Sequence, residues 1–130
     1  SSSNLVNQIK TESAKHLVVM LPFQLNKVYA DSIQDAESEI KRNPYLNKSL
    51  DFYSGVKIAL EYVKNLGIAV KGDVYDTQNQ LSEISHIINT NSFHPSFKAS
   101  IIFEIINFAK YFIKCRNQNI FCFLVLLHIS

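Results

Sequence analysis

Two carboxylates three residues apart, Asp73 and Asp76, stand where an α/β protein would put chemistry, at the end of the short apolar stretch Ile68, Val70, Val74. On a strand, that spacing sends the two side chains to opposite faces, so they cannot work as a paired acid and base. Asp76 and its neighbour Thr77 remain of interest singly. In an open α/β sheet, ligands gather outside the carboxyl ends of the strands. Asp76 there has three readings: a cap or turn former for the next helix, a contact for a ligand amine, or a solvated charge. Phe23, Tyr45 and Tyr53 have the types to line a cleft, although aromatics at these spacings more often serve as core.

The remaining chemical groups assemble into no known device. His16, His86, His94 and His128 show no HxH or HxxxH spacing and read as surface or loop-edge histidines. Cys115 and Cys122 have six residues between them, which fits no common zinc pattern. Both fall in what reads as one strand-like run, so two unlinked thiols are expected. The three glycines, Gly55, Gly67 and Gly72, are too far apart for a phosphate-binding loop, and no GxSxG elbow occurs. No enzymatic activity, cofactor or metal is therefore expected.

The elements that must position these residues follow from periodicity. Leu17 to Leu21 is a continuous apolar run, the mark of a strand buried on both faces. A long polar segment follows, in which Asp31 to Lys41 suits a short surface helix that Asn43-Pro44 breaks. Ser49 is a candidate N-cap for the next helix, with Asp51 at its positive end. Tyr53, Val56, Leu60 and Val63 form that helix's apolar stripe, widened by Phe52, Ala59 and Leu66. Gly55 suits close packing of helix on sheet, Gly67 a left-handed stop, and Gly72 a bulge. Thr77 or Asn79 would cap a last helix with Leu81, Ile84, Ile87 and Ile88 facing inward. The order is βαβα, an α/β class unit with strands near 17–22 and 69–75 held parallel by a right-handed crossover.

Composition sets outer limits. With 130 residues, 47% hydrophobic and 18% charged, the chain is expected to make one globular domain. A net charge of +2 and scattered basic residues argue against nucleic acid as a partner. No window reaches the roughly 18 apolar residues of a membrane helix, so no span is expected. Residues 1–15 read as a linker without a signal-like apolar region, and 16–96 as the lobe itself. Residues 97–130 differ: a single acid, Glu104, no Gly or Pro, seven Ile and six Phe. Two readings stand for this tail. One is an amphipathic helix near 100–114 and a core strand within 120–129. The other is sequence foreign to the fold, from a frameshift or truncation.

Three segments together carry a resemblance: HLVVMLPF (16–23), LDFYSGVKIALEYVKNLG (50–67) and VYDTQNQLSEISHII (74–88). They resemble the type 1 periplasmic binding protein superfamily, the Leu/Ile/Val-binding-like proteins. In particular they are similar to the C-terminal domain of LysM-containing cell-envelope proteins of Bacteroidetes. The likeness covers roughly residues 15–92. It implies two α/β lobes that close on a small ligand, with this chain supplying the start of the first. It further implies a non-catalytic solute-recognition role, a periplasmic or envelope location, and peptidoglycan as a partner through an attached LysM domain. The ligand contacts it suggests are Phe23, Tyr45, Asn47, Ser49, Asp76 and Thr77. After the second helix the family continues with a strand and a glycine loop, whereas this chain runs FKASIIFEIINFAKYFIK. That departure favours the truncated reading of the tail. A structural or interaction module of a peptidoglycan-associated protein, with no small-molecule ligand, is the alternative. A receiver-like switch ranks last, because Leu21-Pro22-Phe23 stands where its acidic residues belong.

Overall fold

A computed structural model describes residues 3–5, 15–91, 93, 110–115, 117–118 and 121–129. The element order is β1 (Lys15–Leu21), a 3-10 turn (Leu25–Lys27), α1 (Ile33–Arg42), α2 (Pro44–Asn65), β2 (Val70–Asp76), α3 (Leu81–Thr90) and β3 (Leu124–Ile129). The chain is thus an α/β unit. β1 and β2 run parallel with Lys15 opposite Val70 and Leu21 opposite Asp76, and α2 crosses between them.

β1 is central in a three-stranded sheet ordered β2-β1-β3. Its apolar run is explained by that position, because both of its faces are covered. Val18 and Met20 pack with Ile84, Ile87 and Ile88 of α3, with Phe93, and with Phe112, Cys115 and Cys122. Val19 and Leu21 face the other way, against Phe23, Leu46, and the half-buried Leu50, Phe52, Tyr53 and Val56 of α2. Each such side chain contributes about 1.5–3 kcal/mol on burial, so β1 is the fold's main apolar anchor.

The tail joins this core. Residues 110–115 are helical, and Phe112 and Cys115 are buried against β1. β3 pairs antiparallel with β1, with His128 opposite His16 and Leu124 opposite Met20. The helix expected near 100–114 lies outside the described residues up to 109, as does most of the 1–15 linker.

Several local expectations are corrected. α2 begins at Pro44, not at Ser49: Asn43 Oδ1 accepts from the amides of Tyr45 (3.1 Å) and Leu46 (3.2 Å), and Pro44 takes the first helical position. Proline there both ends α1 and opens α2, since its missing N–H would be an orphan in any case. Asp51 is consequently an exposed residue in the helix interior, and Ala59 is exposed as well. At Gly55 none of the described residues comes within 4 Å of a Cβ built there. The close approach occurs instead at Gly72, where a Cβ would meet Leu60 Cδ1 at 2.8 Å. Gly72 keeps regular register opposite Leu17 and is no bulge. Gly67 does take the left-handed stop, at φ 82°. The position before α3 belongs to Gln80, without a side-chain cap. The two cysteines do not share one run, because Cys115 lies in a helical segment and Cys122 precedes β3.

Candidate functional site

The carboxyl end of the parallel pair is built around Asp76. β1 leaves the sheet through Pro22 and Phe23, and Gln24 turns the chain in a left-handed conformation at φ 59°. Asp76 Oδ1 accepts from the amide of Gln24 (3.0 Å) and from that of Gln78 (2.8 Å), while Oδ2 accepts from the amide of Leu25 (2.8 Å). One carboxylate therefore ties the loop after β1 to the turn after β2. Charged acceptors of backbone amides are the stronger class of hydrogen bond, which suits this pinning role.

Thr77 completes the turn. Its amide donates to Leu21 O at 2.9 Å, extending the ladder by one rung, and its hydroxyl accepts from Asn79 N at 3.3 Å. Gln78 and Asn79 both sit at positive φ, 53° and 55°. Asn tolerates that region well, and the Asp76 and Thr77 side chains hold the pair in place.

An open cleft of about 320 Å3 lies beside this turn, lined by Phe23, Leu25, Leu50, Tyr53, Val74 and Asp76. Phe23 and Tyr53 meet edge to face with ring centroids 6.2 Å apart, forming its aromatic wall. Lys57 Nζ lies 4.8 Å from the centre of the Tyr53 ring. A second hollow of about 290 Å3 is lined by Pro44, Tyr45, Lys48 and Phe121.

The six expected contacts divide accordingly. Phe23 and Asp76 share the first cleft, and Tyr45 lines the second. Asn47 is exposed on α2 and lines neither. Ser49 and Thr77 are buried, 0% and 2% exposed, and line neither. Among the described residues the Ser49 hydroxyl has no hydrogen-bond partner, an uncommon state for a buried polar atom. Leu25, Leu50 and Val74 were not expected as lining residues. Leu50 and Tyr53 stand three apart on α2, a spacing that a helix beginning at Pro44 places on one face.

The other side of the sheet carries a different polar group. His16 is not a loop-edge residue: it lies in β1 with Nε2 2.6 Å from Asp73 Oδ2 and its ring 5.9 Å from that of Phe93. Lys71 Nζ approaches the same carboxylate oxygen at 3.6 Å. Nearby, burial and then the Asp73 charge push the Tyr75 hydroxyl above its usual range, and that hydroxyl is hydrogen-bonded to Asn91 Oδ1 at 3.3 Å. Among the described residues no group of three metal-binding side chains forms, and no helix is long and apolar enough to cross a membrane.

No family model matches the chain, and no curated protein or solved structure matches it either.

Proposed function

We propose that this chain is a non-catalytic recognition lobe that holds a small, partly apolar solute in the cleft of Phe23, Leu25, Leu50, Tyr53 and Val74. One observation carries the reading: an aromatic-walled, apolar-floored cleft opens at the carboxyl end of the parallel strands, beside a turn pinned by Asp76. That is the place where open α/β sheets take ligands. Asp76 spends three of its roughly four acceptor sites on backbone amides, which leaves one for a ligand ammonium or hydroxyl. Its part is to fix the rim and add one polar contact, not to move protons.

A branched-chain amino acid fits this chemistry, with an aliphatic side chain for the floor and an ammonium for the rim. The cell-envelope setting, and peptidoglycan engaged through an attached LysM domain, come to this proposal from the sequence resemblance alone. The test is an amide NMR titration with L-leucine, L-isoleucine and L-valine into the millimolar range, where a single wall without a facing lobe is expected to bind. Shifts should concentrate on residues 23–25, 50–53 and 74–78, and Phe23→Ala should abolish them. No shift with any of the three would sink this reading.

A second reading is a structural or interaction module of the envelope without a small ligand. It is favoured by the large apolar side chains that stay exposed on two elements: Ile58 and Tyr62 of α2, and Val125 and Leu127 of β3. Concentration-dependent association in sedimentation velocity, with a silent titration, would favour it over the first.

A further inference from the structure

A hollow of about 800 Å3, larger than either of those above, opens at the amino end of the parallel pair, away from the proposed solute cleft. Its walls follow from the sequence. Lys57, Leu60, Glu61 and Lys64 stand three and four apart, so α2 presents them on one face. Gly67, in its left-handed stop, turns the chain so that Ile68 and Val70 lead into β2 beside them. Opposite Val70 stands Lys15, the first residue of β1. Alternation puts Lys15 on the sheet face of Leu17, Val19 and Leu21, the face that α2 covers.

The floor of the hollow is apolar and its rim is basic. Leu60 lies over Gly72, and Ile68 is buried beneath the turn. Around them stand three ammonium groups, those of Lys15, Lys57 and Lys64, against the single carboxylate of Glu61. Among the described residues no ion pair joins Glu61 to any of the three. Lys57 Nζ rests 4.8 Å from the centre of the Tyr53 ring, a contact that leaves its N–H donors available. Lys71 also borders the hollow, but its ammonium is turned to Asp73 Oδ2 at 3.6 Å. The negative end of the α2 dipole points this way. Its last carbonyls already accept from the amides of Leu66, Gly67 and Ile68, and Lys64 stands in that final turn.

We propose that this hollow binds an aliphatic carboxylate of the fatty-acid class, with its chain on Leu60, Ile68 and Val70 and its carboxylate between Lys57 and Lys64. The volume lies within the range of about 300–1,000 Å3 usual for small-molecule sites. Both halves of the ligand are needed. An anion without a chain leaves the floor unused, and each methylene fully buried there strengthens binding about fourfold. A chain with a cationic head meets like charge at the rim. The proposal does not rest on the solute cleft, whose polar rim is the acid Asp76 at the other end of the strands.

The experiment is an amide NMR titration of the full chain at low salt with decanoate, acetate and decyltrimethylammonium, each below its micelle concentration. Decanoate should give saturable shifts at Lys15 and at residues 57–64 and 68–71. Acetate should give none that saturates, and decyltrimethylammonium should bind there at least about tenfold more weakly. Lys57 and Lys64 are exposed, so Lys57→Glu with Lys64→Glu leaves the core intact, which unshifted amides at residues 17–21 would verify. That double variant should weaken decanoate at least about fivefold. Four results would each overturn the proposal: no saturable decanoate shift, shifts centred on residues 23–25 and 50–53 instead, equal binding of either control, or decanoate affinity unchanged in the double variant.

Discussion

Asp76→Ala removes one side chain and leaves three backbone amides without their acceptor, which makes its cost calculable. The amide of Leu25 is exposed and can turn to water, so its loss contributes little. Those of Gln24 and Gln78 are partly buried. A hydrogen bond to a charged group is worth about 1.5–3 kcal/mol, and the lower figure suits sites that water partly reaches. Two such bonds give a loss of about 3 kcal/mol. For a chain of this size each kcal/mol moves the midpoint by about 3–5 °C, so the variant should melt about 10 °C lower. Asp76→Asn keeps one oxygen for Gln24 and Gln78 and places a donor against Leu25, so it should cost about 1 kcal/mol. Urea unfolding followed by far-UV circular dichroism at neutral pH supplies the free energies. Hydrogen exchange at Gln24 and Gln78 identifies the amides released. If Asp76→Ala unfolds within about 0.5 kcal/mol of wild type and both amides stay protected, the carboxylate does not pin the loop and the reasoning fails.

Ser49→Ala should stabilise the chain by about 1 kcal/mol in the same assay, because it removes a buried hydroxyl without a partner and improves helix propensity; a loss would reveal a bond the hydroxyl makes in solution. The glycines should separate in sign. Gly55→Ala, in a helix with open space around it, should gain about 0.5–1 kcal/mol, whereas Gly67→Ala, at φ 82°, should lose about 1 kcal/mol. Like signs would mean that one of the two conformations is wrong. The reduced protein should weaken in alkali. Cys122 is raised from 9.0 to about 12 in the fold, so between those values the unfolded chain releases a proton that the folded one keeps, and stability falls as pH rises. Cys122→Ala should flatten that slope in pH-dependent urea titrations, and an unchanged slope would remove Cys122 as its source.

The sequence made β1 legible because an unbroken apolar run has few other homes, and β2 and α3 because their periods were regular. The start of α2 was harder. Pro44 can end one helix or begin another, and only the Asn43 side chain, folded onto Tyr45 and Leu46, decides for the second. Ser49 offered a rival cap with equally good local chemistry. The glycine roles were exchanged for a different reason: whether Gly55 or Gly72 meets a neighbour depends on where Leu60 lands, which is a tertiary fact. In the candidate site, Phe23 and Asp76 were legible as a strand end and its partner. That Ser49 and Thr77 would point inward was not, since both are small polar residues of types usually found at a rim. That Cys115 and Cys122 belong to different elements was hidden by reading them as one run, when helical residues and a turn at Gln118 lie between them.

The position of β1 bears on how the molecule comes into being. One of its neighbours, β2, begins 49 positions after the end of β1, at Val70, but the other is formed by Leu124–Ile129. A ribosome therefore releases the most apolar strand long before the partner that covers its second edge. During that interval Val18 to Leu21 are held by the elements that precede β3, with one row of backbone groups unpaired, a template for another chain's strand. Pairings so distant in sequence also close slowly, because the loop entropy is lost before the contacts are gained. Assembly of the sheet thus waits for β3, and nascent chains would need a holding chaperone more than the folded protein would.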